Sequence, residues 1–170
     1  MQLHGGLVRV RGIGVLLLGT SGVGKSETAL ALVARGHQLV ADDLVELWLE
    51  DGRVMGRARE AIRHFLEIRG LGILCIPDLY GPGAVAELSS VSLVFRLEHW
   101  REGASYERVG LERPRETILG VELPCLVLPV RPSANMATLV EAGVRDHEQR
   151  ARGMSGAAKL DARLRGESSQ

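Results

Sequence analysis

The chain has 170 residues, the size of one ordinary domain with a single hydrophobic core. Hydrophobic residues make up 45% and charged residues 25%, a globular balance that argues against disorder. Lys+Arg and Asp+Glu are both 21, so no net charge draws the chain to nucleic acid or an anionic membrane; aromatics at 4% offer little for base stacking, and no apolar stretch approaches the roughly 18 residues of a membrane span.

In chain order, Ile13 to Leu18 is a short apolar run bounded by glycine and reads as a buried strand. Gly19 to Gly24 cannot continue it, and Ser26 to Arg35 then reads as a helix stopped by Gly36. His37 to Ala41 is a second strand ending in Asp42-Asp43. Leu44 to Leu49 alternates, and Asp51-Gly52 is a hairpin turn into Arg53 to Gly56. Arg57 to His64 reads as a basic helical stretch leading into Phe65 to Gly70. Ile73 to Ile76 reads as a buried strand ended by Pro77, and Gly81-Pro82-Gly83 as a loop. Ser89 to Leu97 alternates as a half-buried strand, and Val121 to Val130 supplies one or two strands around Pro124. A helix is expected from an Asn135 N-cap to about Arg152, with Gly143 as a weak point. Gly153 to Gly156 breaks it before a last helix, Ala157 to Arg165, and the tail from Gly166 to Gln170 should fray. The hairpins favour a mixed sheet, in one α/β domain over residues 1–170.

Cys75 and Cys125 lie inside apolar runs and read as buried free thiols. With no signal-peptide layout at the N-terminus, a reducing, cytoplasmic setting is expected.

Gly19-Thr20-Ser21-Gly22-Val23-Gly24-Lys25-Ser26 satisfies G-x-x-x-x-G-K-[ST] at every fixed position, between a strand and a helix. Its glycines let successive backbone N–H groups turn inward as an anion nest, and the following helix points its positive end at the phosphates. Lys25 can place a compact charge on the β- and γ-phosphates, and Ser26 can ligate Mg²⁺. Only one other lysine, Lys159, occurs in this arginine-rich chain. Asp42-Asp43 stands at the carboxyl end of a strand, where α/β sheets present ligand-binding groups. Two adjacent carboxylates can divide the work of holding Mg²⁺ and accepting the proton of an attacking hydroxyl. Glu67 alone reads as an exposed strand position, and His4 carries no signal of its own.

Five segments together resemble a known family: Lys25-Ser26-Glu27-Thr28-Ala29-Leu30, Leu39-Val40-Ala41-Asp42-Asp43, Leu66-Glu67-Ile68-Arg69-Gly70-Leu71-Gly72-Ile73, Arg108-Val109-Gly110-Leu111 and Pro129-Val130-Arg131-Pro132. In this order and spacing they are similar to the catalytic domain of the bacterial HPr kinase/phosphorylase family, from about His4 to the final helix. The resemblance implies a P-loop fold of the phosphoenolpyruvate-carboxykinase-like type, with a mixed β-sheet, flanking helices and C-terminal helices. It also implies phosphorylation of a serine of the phosphocarrier protein HPr with ATP and Mg²⁺, in the regulation of carbon metabolism. In the reverse reaction inorganic phosphate attacks phosphoserine and releases pyrophosphate.

By the same resemblance, Asp43 would exchange the proton, Lys25, His4 and Arg108 would be active-site groups, and Ser26 and Glu67 would bind Mg²⁺. Leu66 to Cys75 would serve both directions, Pro129 to Ala134 mainly dephosphorylation, and the assembly would be a homohexamer. The N-terminal domain of full-length members has no counterpart here. Thr20 stands where the family has aspartate, and Ser133-Ala134 where it has glycine and arginine. An arginine lost at that point removes a phosphate clamp, so the kinase direction is the firmer expectation. Two other readings remain open, a small-metabolite kinase on the same scaffold and a nucleotide-binding regulatory module without turnover.

Overall fold

The structure, a computed structural model, describes residues 1–131 and 133–166. Pro132 and the end of the tail expected to fray, from residue 167 onward, lie outside the described residues.

The elements follow as β1 (Gln2–His4), β2 (Gly6–Val10), β3 (Ile13–Leu18), α1 (Lys25–Val33), β4 (Gln38–Ala41), β5 (Leu44–Glu50), β6 (Arg53–Ala58), β7 (Phe65–Ile68), β8 (Gly72–Cys75) and α2 (Ile76–Tyr80). They continue as β9 (Leu88–Ser90), β10 (Leu93–His99), β11 (Arg115–Ile118), β12 (Val121–Val130), α3 (Met136–Ala151) and α4 (Gly156–Leu164). A six-stranded mixed sheet has the order β11-β12-β10-β3-β2-β4; β10 pairs in parallel with β3 and β12, the other pairings are antiparallel, and β4 points the same way as β3. A second, antiparallel sheet has the order β1-β5-β6-β9, and β7-β8 is a separate hairpin.

These elements stack in three layers. Strands in the middle sheet are apolar on both faces, as burial from two sides requires. Val15, Leu17, Leu93 and Phe95 face the helix layer, where Ala29 and Leu32 of α1 meet Val140 and Val144 of α3. Leu16, Leu18 and Val94 face Val45, Leu47 and Val54 of the second sheet. Because β3, β10 and β12 are parallel, their carboxyl ends deliver three loops to one edge, whose described residues are 19–24, 100–114, 131 and 133–135. That edge carries the candidate site.

Several expectations hold. Asp51-Gly52 closes its hairpin with φ of +49° and +74°, the primed turn whose twist suits antiparallel strands. Asn135 caps α3 by accepting the Thr138 N–H at 3.2 Å. Separately from these expectations, no helix among the described residues is long and apolar enough to cross a membrane. Both cysteines are free thiols, although Cys75 is only half-buried.

Others are corrected. Residues 57–64 do not form a helix: Arg57 and Ala58 pair with β5, a single 3₁₀ turn covers Glu60–Ile62, and Arg63 is extended. With Arg57, Arg59, Glu60 and Arg63 all exposed, that helix would have had no apolar stripe to bury, whereas the hairpin buries Ala58. The Ser89–Leu97 run is two strands in different sheets, β9 and β10, because the chain crosses between layers near Val91. Residues 73–75 form an open hairpin strand in which Ile73 is 64% exposed, and Pro77 starts α2 instead of merely ending a strand. Gly143 is no weak point. A Cβ there would sit 2.6 Å from Cζ of buried Phe95, so the glycine lets α3 approach the sheet.

Candidate active site

The phosphate-loop sequence folds as its pattern requires. It leaves β3 at Leu18 and enters α1 at Lys25, with Gly19, Gly22 and Gly24 all at positive φ. At Gly19 two demands coincide: φ is +146°, and a Cβ would lie 2.4 Å from the Leu97 carbonyl oxygen. Val23 is buried against Leu97 and Met136, so it anchors the loop to the core and can meet a ligand only through its backbone. Lys25 Nζ donates to the carbonyls of Gly19 at 2.9 Å and Thr20 at 3.0 Å, which holds the ammonium at the mouth of the cradle.

One cavity of about 460 Å³ brings together His4, Gly19, Ser21, Gly22, Gly24, Lys25 and Ser26. Glu27, Asp42, Asp43, Glu67 and Arg69 complete it. Thr20 lies instead on a neighbouring cavity that shares His4 and Gly19. Arg108 is not brought in. It is exposed on the 100–114 loop and lines a third cavity, beside Arg113 and Arg150, with no residue shared with the first.

The two aspartates occupy different environments. Asp42, the first residue beyond β4, is 6% exposed and accepts the Ser26 Oγ–H, which lies 3.0 Å from both carboxylate oxygens. Burial raises its pKa, against the opposing pull of hydrogen bonds from Ser26 and from the backbone N–H groups of Asp43 and Glu67. Asp43 has φ of +64° in a tight turn closed by the Leu44 N–H on the Asp42 carbonyl at 2.8 Å. Such a one-residue γ-turn is uncommon and strained, and Asp is among the few side chains that accept it. It swings the Asp43 side chain, 79% exposed, over the cavity. His4 Nδ1 stands 3.7 Å from Asp43 Oδ1, and the Gly5 N–H holds the Asp43 carbonyl at 3.1 Å.

Asp42, which the sequence reading paired with Asp43 but the family resemblance left without a role of its own, is the partner of the Ser26 hydroxyl. Arg69 received a role only as one member of the Leu66 to Cys75 segment, yet one guanidinium nitrogen lies 3.4 Å from where a Cβ on Gly22 would sit, above the loop. Its signal was the period of two: Leu66 and Ile68 are buried, so Glu67 and Arg69 share the open face of β7 and its extension.

The residues fit a divalent cation of the magnesium kind. A serine hydroxyl and a buried carboxylate are already adjacent, Glu67 lines the same cavity, and all donors are oxygen. Among the described residues no cluster of three or more His, Cys, Asp or Glu forms a ready cage. Magnesium sites that borrow ligands from substrate phosphates need none.

Mixed sheet, glycine cradle and paired acids define a P-loop α/β domain. The family model of the HPr Serine kinase C-terminal domain matches residues 1–164, and the chain belongs to that family. It is 52% identical over 165 residues to HPr kinase/phosphorylase of Caldanaerobacter subterraneus subsp. tengcongensis, which covers 96% of this chain and 54% of the relative. It is 50% identical over 163 residues to HPr kinase/phosphorylase of Geobacillus thermodenitrificans, covering 95% and 53%. The chain thus spans about half the length of these curated relatives. Among solved structures, Hpr(Ser) kinase/phosphatase from Coxiella burnetii superposes with a TM-score of 0.82 at 32% identity, covering 89% of this chain and 99% of that one.

Proposed function

We propose that the chain is an ATP-dependent protein-serine kinase acting on the phosphocarrier protein HPr or a close relative of it, with inorganic phosphate supporting the reverse, pyrophosphate-forming reaction. One observation carries the reading: an exposed carboxylate, Asp43, is held by a strained turn over the cavity whose other wall is the phosphate loop. A proton acceptor for an incoming hydroxyl has to be open on one side and fixed on the other.

In this reading the backbone N–H groups of residues 19–26 hold the β- and γ-phosphates, and Lys25 adds its charge to them. Ser26, Asp42 and Glu67 would hold Mg²⁺, which supplies charge neutralisation on the phosphoryl oxygens. Asp43 takes the proton as the serine oxygen bonds to the γ-phosphorus, while the bond to the bridging oxygen breaks and ADP departs with the electron pair. His4, on the exposed side of Asp43, restrains that carboxylate. Arg69 stabilises the equatorial oxygens of the moving group. Arg108 would join only through movement of its loop or from a second copy of the chain.

We also propose the homohexamer that the family resemblance implies, for which α4, with Leu160 and Leu164 exposed, offers surface. The free thiols Cys75 and Cys125 suit a cytoplasmic setting. We take the 1–170 chain as a single catalytic domain.

The test is to mix the chain with HPr, ATP and Mg²⁺ and map the product by mass. A phosphoserine on HPr supports the reading. ATP consumed only with small metabolites, or ATP bound without any transfer, would replace it.

A further inference from the structure

The phosphate cradle is open at both ends, and the proposed chemistry uses only one. Beyond Gly24 and Glu27, which it shares with the site cavity, lies a second groove of about 540 Å³ between α1 and residues 130–137. Its floor is small and apolar, formed by Ala31 and Ala134 over buried Met136 and Ala137. The rim is polar and exposed, with Arg131, Ser133 and Asn135. Buried Thr28 also lines it, but its hydroxyl is already committed to the Gly24 carbonyl at 2.7 Å. One wall is preset: the Arg131 guanidinium stacks 3.5 Å from the Trp100 ring centroid, and Trp100 stacks on Tyr106 with centroids 5.0 Å apart.

A nucleoside triphosphate is a linear ligand, so the position of its reactive end fixes where the rest must go. The γ-phosphoryl end belongs beside Asp42, Asp43 and Glu67, where the acids and the metal-ligating oxygens converge. The α-phosphate then lies at the opposite end of the cradle, against the first turn of α1, and the chain of atoms leaves past Gly24 and Glu27. We infer that the groove between α1 and residues 130–137 is the nucleoside subsite, with the ribose over Gly24 and Glu27 and the base on Ala31 and Ala134. It rests on the proposed use of the phosphate loop for ATP. It also gives Val130, Arg131, Ser133 and Ala134 a role in holding the nucleotide, distinct from the dephosphorylation role that the family resemblance implies.

The experiment compares two ligands that share phosphates but not a nucleoside. Calorimetric titrations of the full chain with Mg²⁺-ADP and with Mg²⁺-pyrophosphate are run on wild type, Ala134→Trp and Ala31→Phe, with melting temperatures recorded for each. Filling the groove should weaken ADP by about tenfold or more while pyrophosphate stays within about twofold, in either variant that retains its melting temperature. ADP affinity within about twofold of wild type in both variants overturns the inference, as does a parallel loss of both ligands in both. Wild type that binds neither ligand would instead refute the phosphate-loop reading beneath it.

Discussion

Replacing Asp42 by Asn isolates the tension at the centre of the site. The carboxylate is buried, and hydrogen bonds from Ser26, Asp43 and Glu67 leave its ionised form still disfavoured, so its pKa lies above the ordinary 3.8. An acid with a raised folded pKa contributes stability that is fully present below the unfolded value and lost as pH rises through the folded one. Above the unfolded value the wild type therefore carries a penalty that grows with pH, and Asn, with the same shape and an oxygen to receive Ser26, removes it. Asp42→Asn should melt higher than wild type at pH 7.5, and the gap should close as pH falls below 3.8.

Function should move the other way. A loss of about 100-fold in Mg²⁺-nucleotide affinity corresponds to ~2.7 kcal/mol, the same as the stabilisation a ligand gives at about 100 times its Kd. For a chain of this size each kcal/mol is roughly 2–4 °C, so a wild-type ligand shift of about 5–10 °C should nearly vanish in the variant. Differential scanning fluorimetry with and without Mg²⁺-ADP, across pH, reads both effects. A variant that melts lower than wild type without ligand and keeps the ligand shift would refute the reasoning.

Three further outcomes are expected. Arg69→Gln should lower kcat by about 10²-fold with little change in nucleotide affinity, since its guanidinium is aimed over the loop and not into the fold; an unchanged kcat at saturating ATP would remove Arg69 from the chemistry. Glu141 accepts from His37 at 2.8 Å and Arg35 at 2.7 Å, which holds its pKa below the ordinary 4.5 and ties the turn between α1 and β4 to α3. Glu141→Gln should thus cost up to ~1 kcal/mol at pH 7, and that difference should disappear as pH falls below 4.5; urea midpoints at several pH values would read it, and a pH-independent difference would contradict it. Gly143→Ala should destabilise by about 1–3 kcal/mol despite the better helix propensity of Ala, because the new Cβ would press on Phe95 at 2.6 Å; a higher urea midpoint would show that the helix and Phe95 can separate.

The phosphate loop was legible because its requirements are local. Backbone amides, glycine φ and the following helix are all written within residues 19–26. The Asp42-Asp43 pair was legible for a related reason, its place at a strand end, though the positive φ that separates the two side chains was not. His4 was beyond local reasoning, since β1 meets Asp43 only through pairing with β5, some forty residues on. The misread helix at residues 57–64 shows the converse: good helix formers without an apolar face yielded to a sheet edge that could bury Ala58. Likewise the clean alternation from Ser89 to Leu97 records burial at every step but not the change of sheet halfway along.

The most direct test of the account is the rate of phosphoryl transfer to HPr by Asp43→Asn, set beside its affinity for ATP. Asn tolerates the φ of +64° as Asp does, so the turn and the cradle should survive the change. The account predicts a rate lower by about 10²–10⁴-fold with ATP affinity within about twofold of wild type. A wild-type rate, or a rate and an affinity that fall together, would contradict it.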